Sequence, residues 1–135
     1  MTELKLLDTE YAQLFYDQDH RIIHHHITPS MQSHQWQELL SKGYQTLKAN
    51  GAKKWLSDNR ELQHPIDDEH NGWIFGVWLP QMMAAGWSAW AIVVPDEVAF
   101  RTVMIDFIDE FYEKGLRIMV FSKVEDGMAW LKSVN

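Results

Sequence analysis

Trp90-Ala91-Ile92-Val93-Val94 (WAIVV) is an unbroken apolar run, and its reading decides the fold. A strand packed on one face alternates apolar and polar side chains, whereas a short run that is apolar throughout is a strand covered on both faces. Arg117–Phe121 (RIMVF) repeats the pattern. Between the two, Asp96 opens a helical stretch with Val103, Met104, Phe107, Ile108, Phe111 and Tyr112 on one face, closing at Gly115. A strand, a helix and a second buried strand make a parallel β-α-β crossover, right-handed in nearly every protein.

The same alternation extends upstream. Gly72–Ala85 is helical in pattern and ends at Gly86, with Pro80 inside it. Proline removes one helical hydrogen bond and crowds the carbonyl four residues back, here Gly76, so a kink or two abutting helices is expected. Asn59–Asn71 is polar, carries Pro65 and the acids Asp67, Asp68 and Glu69, and reads as a loop. Lys54–Asp58 (KWLSD) is a short strand. From Ser30, Trp36, Leu39, Leu40, Gly43, Tyr44 and Leu47 fall on one helical face, with Pro29 suited to the first turn and Gly51 to the stop. Glu10–Asp17 and Arg21–Thr28, separated by a polar turn, form a β-hairpin pattern. Leu4–Leu7 is a candidate for one more short strand ahead of it. Downstream, Ser122 and Glu125 have capping-box spacing and open a final helix through Met128, Trp130 and Leu131.

The order is therefore β-β-α-β-α-β-α-β-α. It predicts an α/β protein, one domain over 1–135, with a single mixed five-stranded sheet flanked by helices. The hairpin is expected to add an antiparallel strand at an edge.

At 135 residues the chain is the length of one ordinary domain, and 46% hydrophobic with 23% charged residues is a globular composition. Twelve basic against 19 acidic residues leave a net charge of -7, which repels phosphate backbones and argues against nucleic acid as a partner. The absence of cysteine excludes disulfides, thiol nucleophiles and cysteine-ligated zinc. The opening MTELKLLDTE is charged where a signal peptide needs an apolar run, and no apolar stretch approaches the length of a membrane span. No membrane insertion and a cytoplasmic location are the resulting expectations.

Chemistry-bearing residues concentrate in few places. In the run His24-His25-His26, strand alternation points His24 and His26 one way and His25 the other, packed between Ile23 and Ile27. Two imidazoles at i and i+2 can chelate one metal, with His20, His34, His64 or His70 as a third ligand; ordinary strand residues are the commoner outcome. The loop after Lys54–Asp58 lies where open α/β sheets bind ligands, which makes Asp58, Arg60 and His64 candidates. Equally, an Asp58–Arg60 pair can simply fix that loop. Trp73, Trp78 and Met82 can line an apolar pocket or pack in the core. Trp73 and Trp78, five residues apart, do not share an α-helical stripe, so one is free to face outward. Asp106, Asp109, Glu110 and Glu113 read as a solvated helix face. No serine-protease, phosphate-loop or zinc-protease signature occurs, and nothing in the sequence calls for a cofactor.

Several of these pieces arrive in a familiar order: the hairpin, GAKKWLSDNREL, WIFGVWLPQMMAAGW, AIVVP and VFSKVEDGMAWLKS. The chain resembles a small bacterial protein of the SpoIIAA-like group, whose fold is shared with STAS and CRAL-TRIO domains. The resemblance implies a mixed five-stranded sheet flanked by helices. STAS-like anti-sigma antagonists carry a phosphorylated Ser or Thr in an Asp-Ser-Ser-Gly type motif after the third strand. Here that region reads SDNRELQHPIDDEHNG and lacks the motif, so the phosphosite is not carried over to Ser57.

Three functional expectations follow. The first is a non-enzymatic regulatory or protein-interaction module, a homodimer. The second is a binder of a small apolar or lipid-like ligand near Trp73, Trp78 and Met82. The third is a hydrolase using His24 and His26 with a metal.

Overall fold

The computed structural model describes residues 3–95 and 108–134. Its centre is one mixed sheet in which spatial order follows chain order: β1 (Glu3–Asp8), β2 (Ala12–Asp17), β3 (Ile22–Ile27), β4 (Lys54–Asp58), β5 (Ala89–Val93) and β6 (Arg117–Phe121). The first two pairings are antiparallel and the last three parallel. The apolar pattern predicts five strands, and six form. The sixth is β1, whose register against β2 shifts between Lys5 and Leu7. That bulge brings Leu6 and Leu7 both to partial burial, which erases the alternation that marks a half-buried strand. Because β1 takes the edge, the hairpin strand β2 lies inside the sheet.

The central run behaves as its composition requires. Ala91 and Val93 face a cluster with Leu56 and Leu131, while Ile92 and Val94 face the larger core with Trp55 and Leu116. The larger face is covered by α1 (Trp36–Asn50) and by a helical run made of α2 (Asp68–Trp73), a π turn (Ile74–Trp78) and α3 (Leu79–Ala84). The first helix touches both the π turn and α3. Residues 108–113 (α4) are helical. The expected helical face at Val103, Met104 and Phe107 lies outside the described residues. On the opposite face α5 (Val124–Ser133) packs on β4, β5 and β6.

Three local expectations are corrected. Helix α1 begins at Trp36 behind a 3₁₀ turn at Ser33–Gln35, not near Pro29. The hydroxyls of Thr28 and Ser30 both bond the Glu10 carbonyl, which pins this segment as a turn against the start of β2. The polar loop after β4 ends at Asp67 rather than Asn71, because the Asp67 carboxylate accepts the His70 N–H and caps α2. At Pro80 the expected abutment forms, with Pro80 in the first turn of α3 directly behind the π turn. The chain widens just before it into the π turn, where Leu79 N–H reaches Ile74 one residue further back than in an α-helix. Finally, α5 starts after an extended Lys123 with no side-chain cap, so the Ser122–Glu125 box does not form. Its far end is held instead by Lys54 of β4, whose ammonium donates to the Leu131 and Val134 carbonyls.

Candidate functional site

Strands β3 and β4 run parallel in the register His24–Leu56, His25–Ser57 and His26–Asp58. Strand alternation therefore divides the three imidazoles between the two faces of the sheet, at its carboxyl end.

On the α5 side the centre is Asp58, only 3% exposed. Arg60 grips it with Nε on Oδ1 and Nη2 on Oδ2, both at 2.8 Å, in the fork geometry that suits a guanidinium to a carboxylate. His26 Nδ1 lies 3.0 Å from Asp58 Oδ2, and its Nε2 lies 2.9 Å from Glu61 Oε2. Both bonds are donated at once only from the doubly protonated ring. Burial alone would raise the Asp58 carboxyl, but the hydrogen bonds from Arg60 and His26 outweigh it and hold the group below the ordinary aspartate range. His24, two residues back on the same face, is tilted against Phe15 at 5.6 Å and has a buried Nε2 with no partner among the described residues. Burial, with the nearby positive groups of His26 and Arg60, lowers its pKa to about 4 against the pull of Asp58.

On the α1 side lies a pocket of about 120 Å³. Among the described residues its sheet wall is His25, Ser57, Asn59 and Trp90, and its helical wall is Trp36 and Leu40 of α1 with Ile74, Phe75 and Trp78 of the π turn; Leu62, Ile66 and Asn71 also line it. His25 is 1% exposed and fully engaged: Trp55 Nε1 donates to Nδ1 at 3.0 Å, and Nε2 meets Asn59 Oδ1 at 2.8 Å. Burial lowers its pKa to about 4, only partly opposed by the Asn59 hydrogen bond, so the ring is neutral near pH 7. Trp36 and Trp55 both stand edge-on to it, at 5.7 and 5.8 Å.

The residues singled out in the sequence thus separate. Asp58 and Arg60 form one ion pair, joined by His26. His64 is exposed in the loop and has no hydrogen bond to either among the described residues. Trp78 lines the pocket, and its indole N–H donates to the Leu40 carbonyl at 2.8 Å. Trp73 is half-buried against the core, and Met82 is wholly inside it; neither lines the pocket. His24 and His26 share a face, but among the described residues no three His, Asp or Glu side chains are grouped to hold a metal ion. The pocket residues that composition did not reveal are His25, Trp36, Ser57 and Asn59. A histidine placed inward between two isoleucines needs partners for both ring nitrogens, and that was the available signal.

No helix among the described residues is long and apolar enough to cross a membrane. No family model, curated protein or solved structure matches the chain, so its chemistry is read from the geometry of the site.

Proposed function

We propose that this chain is a non-enzymatic binding module of SpoIIAA-like fold that takes a small, mostly apolar ligand near the carboxyl ends of β3 and β4, beside Trp90 of β5. The observation that carries the reading is the pocket itself, an aromatic cleft with a few buried polar groups on a rigid sheet. Its position at the strand ends is where open α/β sheets place ligands. The engagement of the polar groups favours binding over chemistry. His25 spends both nitrogens on Trp55 and Asn59, and Ser57 Oγ pairs with the Trp90 indole rather than with an imidazole. Across the sheet, the Asp58–His26 dyad ends on the Glu61 carboxylate, not on a nucleophilic hydroxyl.

The test is a nitrogen-15 NMR titration with a set of small uncharged fragments. Indole resonances of Trp36, Trp78 and Trp90 are expected to shift, while that of Trp130, on α5, stays still. A set that moves none of the three pocket indoles at millimolar concentration sinks the reading.

A second reading, a regulatory module that docks a protein or a second copy of itself, is favoured by Val77. It is 44% exposed on the π turn beside the pocket. Light scattering of the wild type and of Val77→Asp decides the self-associating form, which requires a dimer that the variant dissociates.

A further inference from the structure

The polar wall of this pocket has a direction, set by a relay of hydrogen bonds. An indole nitrogen only donates, so Trp55 Nε1–H on His25 Nδ1 leaves the imidazole proton on Nε2. That proton is donated to Asn59 Oδ1, which turns the carboxamide so that its Nδ2 is the unengaged end. Nδ2 has no acceptor among the described residues. Ser57 repeats the pattern: Oγ accepts the Trp90 N–H at 2.8 Å, and its own O–H has no acceptor among the same residues. Trp36 adds a third donor, 4% exposed, whose buried Nε1–H has no partner among the described residues. Native interiors rarely leave a buried donor such as Trp36 Nε1–H unmatched, and with two further donors free beside it an acceptor belongs here.

The remaining lining limits what that acceptor is. No described residue of the wall carries a charge, because His25 is neutral and the Asp58–Arg60 pair lies on the other face of the sheet. Among the described residues a buried carboxylate or phosphate would find donors but no cation to offset its desolvation. Among the described residues the one uncommitted side-chain acceptor, Asn71 Oδ1, sits on α2 rather than on the sheet, its Nδ2 donating to the Ile66 carbonyl. The volume, about 120 Å³, compares with the apolar cavity of about 150 Å³ that takes benzene.

We propose that the pocket takes a neutral, planar ligand of about six to ten heavy atoms that carries a carbonyl-type acceptor. The acceptor meets Asn59 Nδ2 and the Ser57 hydroxyl, and the apolar remainder lies between Trp36, Trp78 and Ile74. This specificity rests on the pocket being a ligand site, as proposed above.

Three probes separate the two ideas. Acetophenone and α-methylstyrene share a shape and differ in C=O against C=CH₂, while benzoate keeps the ring and the acceptor and adds a charge. The wild-type chain is titrated with each, followed by the indole N–H of Trp36 and the side-chain amide of Asn59. Acetophenone is expected to bind at least about tenfold more tightly than either of the others, since a site with unpaired donors rejects the analogue that cannot accept. The Asn59 amide protons are expected to move downfield with acetophenone and not with α-methylstyrene. Asn59→Asp keeps an oxygen for His25 and replaces the donor by a second acceptor, so there the preference for acetophenone disappears. If that variant fails to fold, the wild-type amide shift decides alone. Equal binding of acetophenone and α-methylstyrene, or tighter binding of benzoate, overturns the specificity and leaves the pocket a ligand site. Binding of none of the three overturns both.

Discussion

Gly43 is the residue at which the fold tolerates least. It lies on the buried face of α1, and a Cβ built there would stand 2.0 Å from Cη2 and 2.4 Å from Cζ3 of Trp55. Trp55 itself is fully buried and anchors the hydrogen-bond relay through His25. Its ring also packs edge-on to Trp78 at 5.4 Å, so it has no open side to retreat to. Gly43→Ala should therefore destabilise the chain by about 1–3 kcal/mol or more, as overpacking does in close-packed cores. Gly72, on α2, has open space where its Cβ would go. Gly72→Ala should be neutral or stabilise by up to about 1 kcal/mol, because alanine is the better helix former. Urea unfolding of the two variants checks the contrast; equal midpoints would mean that α1 can lift off β4 at no cost. The same indole explains why the pocket was hidden in the sequence. His25 is 30 residues from Trp55 and 34 from Asn59, and no local pattern links groups that only sheet register brings together.

At the scale of an element, the π turn is the most informative. Ile74, Trp78, Leu79 and Met82 are all buried, at spacings i, i+4, i+5 and i+8. A regular α-helix buries i, i+3, i+4 and i+7, so the segment holds one residue too many, and widening to i→i+5 bonding absorbs it. Removing the exposed Val77 restores the regular spacing. Its deletion is expected to cost less than about 1 kcal/mol, within the range of surface changes. Deleting Gln81 instead rotates Met82 out of the core and should cost about 2–5 kcal/mol, as truncating a buried methionine does. Thermal melts of the two deletions give the answer, and a larger loss for Val77 would mean that the wide turn itself is required. This also marks where the sequence stops being legible. RIMVF has the predicted bounds because a continuous apolar run is a local property, and the short strand read at KWLSD keeps its bounds as well. The π turn, the bulge in β1 and the late start of α1 depend on contacts across the fold, which periodicity does not record.

For the whole molecule, acid is the natural probe. The imidazoles of His24 and His25 are held neutral to about pH 4, whereas in the unfolded chain they take up protons near pH 6.5. Between those values the unfolded state binds more protons, so stability is complete above about pH 6.5 and falls as the pH drops toward 4. Asp58 adds a further loss in stronger acid, since its carboxyl titrates lower in the fold than in the free chain. Unfolding free energies from urea titrations at pH 7.5, 5.5 and 4.5 should decline by a total on the order of a few kcal/mol. A flat profile would show that the two rings are protonated alike in both states. A different property of the molecule is its strand sequence, in which each β-strand neighbours the one made before it. During synthesis every new strand can dock on an edge that already exists, and none must wait for a later strand to open a place for it. Chain growth at the ribosome and growth of the sheet then proceed in the same direction, beginning from an antiparallel meander that needs only short-range closure.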